Sequence, residues 1–187
     1  MIGYAFCGSF CTLSRSLRVL DLLVKSGEEV CPIISERAYS TDTRFFLAEE
    51  FVRRAESLCG RAAIHTVEDA EPLGPRQPLE ALIIAPCTGN TLAKIANGIT
   101  DSAVTMAAKA HLRADRPLLI ALATNDAMSQ NLGNIGKLLT RKSVYFVPMR
   151  QDDVEKKPYS LVAEMDMIPE ALAAMRTGRQ MRPLFLG

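Results

Sequence analysis

Between residues 84 and 102 the chain reads IAPCTGNTLAKIANGITDS, and the residue types there suit an anion. An apolar run over 81–85 stops at Pro86. Cys87-Thr88-Gly89-Asn90-Thr91 follows as a small polar loop, and a helical pattern sets in at Leu92. A strand that passes through such a loop into a helix start leaves backbone N–H groups without intrahelical acceptors. The helix dipole adds positive potential at the same place. A phosphate or carboxylate would be held there. The loop also reads as a plain helix cap, with Thr88 or Thr91 satisfying the helix donors and no ligand involved.

Three further stretches carry polar groups suited to a ligand. CGSFCTLSRS (7–16) offers Gly8 for close backbone approach and Ser9 for a hydroxyl, although a simple Gly-Ser turn fits as well. The later glycines of the dinucleotide fingerprint are absent, which argues against a standard NAD site. Ser35 ends VCPIIS, where a serine serves either a ligand or the next helix. Arg37, two residues on, would pair with an anion or lie solvated on the surface. Thr124-Asn125-Asp126 ends another apolar run.

His65 is the one general acid–base candidate near a strand end, against the alternative of a structural histidine. His111 lies in an Ala-rich helical stretch and reads as a packing or surface residue. Cys7-x-x-x-Cys11 is not a zinc spacing, and with two histidines in the chain no metal cluster is expected. Cys87 reads as structural, since no base stands near it in sequence. The mixed run DDVEKK (152–157) is ordinary solvated surface, or a place where Lys156 and Lys157 receive a dianion or an acidic partner.

The elements that would position these residues follow from the hydrophobic pattern. Strands are expected over 2–7, 29–34, 63–66, 81–85, 117–123 and 143–147. Helices are expected over 12–26, 43–59, 91–97, 102–112, 131–139 and 169–177. Leu13, Leu17, Leu20 and Val24 share one helix face, and Gly27 stands where that helix should end. Alternating strands and helices imply an α/β fold with a mostly parallel six-stranded sheet, in order 3-2-1-4-5-6. Ligands of such sheets sit beyond the C-terminal strand ends. The polar loops at Gly8, Ser35, Thr88 and Thr124 should therefore share one edge. The Pro-rich piece 71–78 reads as a loop.

At 187 residues, one domain over 1–187 is expected. Hydrophobic residues make up 48% of the chain, enough for a full core, yet no run approaches the roughly 18 apolar residues of a membrane span. The start reads as a strand without a basic leader, so no signal peptide is expected. A net charge of +1 with scattered Lys and Arg argues against a nucleic-acid surface. Five cysteines, mostly in apolar contexts, fit reduced thiols in a cytosol.

PCTGNTLAKIANGITDS resembles the PCS-x-x-TLA-x-IA-x-G-x-x-D segment of the flavoprotein family, which includes flavin prenyltransferases and homo-oligomeric flavin-containing cysteine decarboxylases. IHTVEDAEPLGP (64–75), ATNDAMSQNLGNIGKLL (123–139) and YFVPMRQDDVEKKPYSLVAEMD (145–166) are similar, more narrowly, to the sporulation flavoproteins that form the B subunits of dipicolinate synthases. The resemblance implies a Rossmann-like, flavodoxin-like three-layer fold that binds FMN through Gly8, Ser9, Ser35, Thr88, Gly89, Thr91, Thr124 and Asn125. It implies Asn90 as a substrate-carboxylate contact, with His65 as the catalytic acid–base expectation. It also implies oxidation of a dihydrodipicolinate-level dicarboxylate to dipicolinate, together with the synthase's A subunit, which uses NAD or NADP. A homotrimer or a multiple of it, in the mother-cell cytoplasm of a sporulating bacterium, goes with that reading. The alternatives are a stand-alone FMN-dependent decarboxylase or prenyltransferase, and a cofactor-free scaffold. The first loses support because Ala123 stands where prenyltransferases carry Arg. In addition, 126–131 (DAMSQN) replaces the decarboxylases' Pro-x-Met-Asn motif.

Overall fold

Three apolar stretches alternate strictly between two cores, which is how a sheet covered on both faces is encoded. In β1 (Ile2–Phe6), Ile2, Tyr4 and Phe6 point to one core and Ala5 to the other. β3 (Leu82–Cys87) and β4 (Leu118–Thr124) divide likewise, with Ile83 and Leu119 opposite Ile84 and Ile120. The computed structural model describes residues 1–74 and 76–187. Pro75, which closes the 64–75 motif and belongs to the Pro-rich loop, lies outside the described residues.

β1 is central, with β2 (Val30–Ile34) and β3 parallel on its two sides and β4 parallel beyond β3. β5 (Val144–Phe146) runs parallel to the first half of β4. The expected strand over 63–66 contracts to a single parallel bridge, Ile64 to Ile33, and it takes the third place in the expected order. Two strands absent from the sequence reading complete a seven-stranded sheet: β6 (Met149–Arg150) and β7 (Leu161–Ala163). They are antiparallel, and β7 pairs with the last residues of β4, Ala123 and Thr124. At two and three residues they are too short to show a period.

The first helix, α1 (Leu13–Lys25), ends before Gly27, whose φ of 94° needs a residue without a Cβ. α2 (Glu36–Ser40) starts directly after β2. α3 (Ala48–Cys59) begins five residues later than expected. The reason is local: Thr43 Oγ1 accepts from the Phe45 and Phe46 amides, and Asp42 Oδ1 takes the Ala48 amide at 2.8 Å. These side chains hold a turn where a helix would otherwise start. A short α4 (Val67–Ala70) precedes the stretch read as loop, and a 3-10 turn (Glu71–Leu73) occupies its start. α5 (Gly89–Asn97), α6 (Ala103–Arg113) and α7 (Leu132–Leu139) cover one sheet face. α1, α3 and α8 (Ile168–Arg176) cover the other. No helix of the described residues is long and apolar enough to cross a membrane.

Candidate functional site

The C-terminal ends of β1, β3 and β4 open into a cleft of about 570 Å³. That lies within the range of roughly 300–1,000 Å³ usual for small-molecule sites. Gly8 and Ser9 come from the loop after β1, Thr88–Asn90 from the loop after β3, and Thr124 and Asn125 from the end of β4. Seven of the ten residues singled out from the sequence therefore meet in one place, drawn from three separated loops.

The loop after β3 is fixed from below. Thr88 caps α5, its Oγ1 accepting the Thr91 amide at 3.2 Å and donating to Thr91 Oγ1 at 3.1 Å. Next to it, Gly89 is required by the fold. A Cβ there would stand 2.5 Å from Thr124 Oγ1, 2.6 Å from Asn131 Nδ2 and 2.7 Å from Asp126 Oδ1. Those three atoms belong to one network. Thr124 Oγ1 donates to Asp126 Oδ1 at 2.5 Å, and Asn131 Nδ2 donates to both Asp126 oxygens at 3.0 Å. Asn134 Nδ2 in turn donates to Asn131 Oδ1 at 3.0 Å.

Gly8 presents the opposite case. A Cβ there would meet the Phe10 ring at 3.5 Å and Arg37 Cγ at 3.9 Å, both ordinary contacts. The fold does not demand glycine at this position, whereas a ligand lying on the backbone would. Ser9 accepts from Thr12 Oγ1 through both its carbonyl, at 2.8 Å, and its hydroxyl, at 3.1 Å. The amides of Gly8, Cys11, Gly89 and Asn90, all lining the cleft, find no acceptor among the described residues. The side-chain amides of Asn90 and Asn125 are exposed and equally without a protein partner among them. Two clusters of free donors about one cleft suit a phosphorylated, polar-edged ligand. The residues present thus fit a flavin mononucleotide.

Three expected site residues are placed elsewhere. Ser35 is not in the cleft lining. α2 begins at the next residue, and the Ser35 hydroxyl caps it through the Ala38 amide at 3.4 Å. Thr91 is buried beneath the loop, and it supports Thr88 from below. Burial pushes the nearby Cys7 thiol up to about 11, with Thr91 acting in the opposite direction. His65 does not reach the cleft either. Its ring stacks on Tyr39, with centroids 3.8 Å apart and planes within 4°. Cys87 is fully buried, and burial raises its thiol well above the ordinary value, so it is inert as expected.

One wall enters the sequence reading only through Lys157, offered there as an alternative to solvated surface. The segment joining β6 to β7 brings Asp152, Lys157 and Ser160 to the cleft, where Arg15 of α1 and Cys11 also stand. Lys157 Nζ lies 2.6 Å from Asp152 Oδ2, and the Ser160 hydroxyl donates to Asp152 Oδ1. Lys157, then Ser160, hold the Asp152 carboxyl below the ordinary range. Arg15 donates to Glu164 at 2.7 Å, just beyond β7. The motif at 145–166 and the alternative reading of DDVEKK as a dianion receiver both marked this segment, whereas Arg15 and Ser160 carried no signal of their own.

Comparisons with known proteins accord with this geometry. The flavoprotein family matches residues 1–177. The chain is 42% identical over 185 residues to the B subunit of dipicolinate synthase from Bacillus subtilis (strain 168), covering 99% of this chain and 92% of that one. The crystal structure of the corresponding B subunit from Bacillus halodurans superposes with a TM-score of 0.91 at 38% identity, covering 100% of this chain and 95% of the other. The FMN-dependent cysteine decarboxylase SpaF shares the fold, with a TM-score of 0.68 at 21% identity and 95% of each chain covered. With a family match over nearly its whole length and a relative 42% identical over 99% of it, the chain belongs to the flavoprotein family.

Proposed function

We propose that this chain binds FMN in the cleft and is the flavin-carrying B subunit of a dipicolinate-forming oxidoreductase. The observation that carries the reading is the convergence on one cleft of four backbone amides, from the loops after β1 and β3, that find no acceptor among the described residues. The whole-length similarity to dipicolinate synthase B subunits supports the substrate class. In this reading Gly8, Ser9, Thr88 and Gly89 receive the phosphate and ribityl chain, and Thr124 and Asn125 meet the polar edge of the ring system. Asn90 donates its free amide to a substrate carboxylate. Ser35 and Thr91 act through the loops they hold.

When bound, FMN would supply hydride acceptance and electron transfer toward nicotinamide. The overall change removes two electrons and two protons from a dihydrodipicolinate-level precursor, and aromatises its ring. The final oxidant is NAD or NADP, held by the A subunit. The chain's own contribution is to set the substrate ring against the flavin, neutralise its carboxylates and exclude water. The cleft is partly open to solvent, and covering it with a second copy would complete that exclusion. We infer a homotrimer or a multiple of it, working in the mother-cell cytoplasm.

The test is the visible absorption spectrum of the purified protein, alone and after adding FMN, followed by gel filtration. Bands near about 370 and 450 nm that stay with the protein are expected for oxidised flavin. A colourless protein that takes up no flavin would reduce the chain to a scaffold for the A subunit. Sedimentation velocity on the same sample reads the assembly, and a monomer at micromolar concentration would overturn the shared-site arrangement.

A further inference from the structure

Among the side chains lining the cleft, one cation stands apart from both the flavin-facing loops and the helices. Lys157 belongs to the segment between β6 and β7, which is tied together by its own bonds. Gln151 Nε2 donates to the Pro158 carbonyl at 2.9 Å, and the Lys156 and Lys157 amides donate to Asp153 at 2.9 Å. The segment therefore holds its shape while its side chains line the cleft. The partner of Lys157, Asp152, has a second donor in the Ser160 hydroxyl. If an incoming carboxylate takes the ammonium, Asp152 is not left bare. Exchange costs little, since an ion pair this exposed contributes little to stability. The other cation of the cleft, Arg15, is committed differently. It pairs with Glu164 at 2.7 Å and lies 3.6 Å from Asp166, two carboxylates outside the lining. Freeing it would leave Asp166 without this cation and Glu164 with Arg150 alone, 3.5 Å away.

We propose that Lys157 is a specificity-determining residue that receives the second carboxylate of a dicarboxylate ligand, the first being held at Asn90. This rests on the reading of the cleft as a dicarboxylate site. It adds that the preference for two carboxylates over one resides in Lys157, on an element the flavin loops do not include. A point-charge ammonium suits this task. It can leave one carboxylate for another without the fixed fork geometry of a guanidinium.

The test is calorimetric titration of the purified protein, with and without FMN, using pyridine-2,6-dicarboxylate and pyridine-2-carboxylate. The wild type is expected to prefer the dicarboxylate. Lys157→Ala should lose about tenfold or more of the dicarboxylate affinity and leave the monocarboxylate unchanged, since one charge-assisted bond is removed. Lys157→Arg should restore part of it. Alkylation gives a second readout. Cys11 is an exposed thiol in the same cleft, whereas Cys7, Cys31 and Cys87 are buried. The dicarboxylate should slow its reaction with iodoacetamide in the wild type and not in Lys157→Ala. An alanine variant that keeps the full preference would overturn the role of Lys157 while leaving the dicarboxylate site standing. A wild type that binds flavin but shows no preference for the dicarboxylate would overturn both.

Discussion

Two adjacent residues at the start of α5 separate what the fold needs from what a ligand needs. At Gly89 the neighbours of a Cβ would be Thr124 Oγ1, Asn131 Nδ2 and Asp126 Oδ1, all inside 3 Å and all engaged with one another. None can give way without breaking the network. Gly89→Ala should therefore cost about 1–3 kcal/mol, the usual range for overpacking, and should displace the loop that faces the cleft. Chemical denaturation and equilibrium dialysis of FMN check the two effects together. Thr88 behaves differently, because its hydroxyl can be removed without a clash. Thr88→Ala should lose roughly 1 kcal/mol as the α5 cap disappears, while Thr88→Ser keeps both the cap and the hydroxyl. If FMN affinity falls in the alanine variant and returns in the serine variant, the hydroxyl serves the ligand as well as the helix. An unchanged affinity in both would leave Thr88 a cap and nothing more.

Between elements, the contact that sets the β3 loop against α1 is a small buried polar knot. Ser16 Oγ donates to the Ala85 carbonyl at 2.5 Å and meets Tyr4 Oη at 2.9 Å, with all three residues inaccessible. Ser16→Ala would leave the Ala85 carbonyl without its donor and should cost about 1–3 kcal/mol. Thermal melts read the stability. Because Ala85 leads directly into Pro86 and Thr88, flavin retention should weaken as well, and Tyr4→Phe, which keeps Ser16 on Ala85, should weaken it less. Equal losses in the two variants would show that the knot works through packing alone. The central elements were legible because both sheet faces are buried, so their strands read as continuous apolar runs. The third expected strand was only partly so. Residues 63–66 run at the sheet edge beside β2, where the single bridge Ile64–Ile33 is all the pairing that forms. β6 and β7 could not be read, since pairing with the end of β4 is a long-range choice that two- and three-residue segments do not encode. With them went the place of Lys157, which the charge run offered only as an alternative, and any sign of Ser160. His65 misled for a related reason: a position near a strand end does not fix which way a ring turns, and Tyr39 offered it a stacking face.

For the whole molecule, one buried histidine couples the fold to pH. His111 lies on α6, read from sequence as a packing or surface residue, and it is 1% exposed. Its Nε2 lies 2.8 Å from the Pro117 carbonyl and must carry the proton to donate there. Nδ1 is then bare, and it is buried with no partner among the described residues. Protonating it would place a charged N–H where nothing accepts. Burial accordingly lowers the His111 pKa to about 4, against 6.5 for an unperturbed histidine. The folded state binds this proton more weakly than the unfolded chain, so the neutral ring's contribution is complete above the unfolded value and is lost as pH falls from about 6.5 toward 4. Between about pH 7 and pH 5 the loss is roughly 2 kcal/mol. The carboxylates held low by partners, Glu28, Asp101 and Asp152, remain charged over that interval and add little to the slope. Urea denaturation at the two pH values should therefore show a midpoint that drops in acid for the wild type. His111→Phe, which cannot take up a proton, should be less stable at the higher pH because the Pro117 carbonyl loses one of its two donors and keeps only the Leu82 amide, and should show a much flatter dependence. A variant that kept the full acid sensitivity would place the coupling on another group and leave His111 a packing residue only.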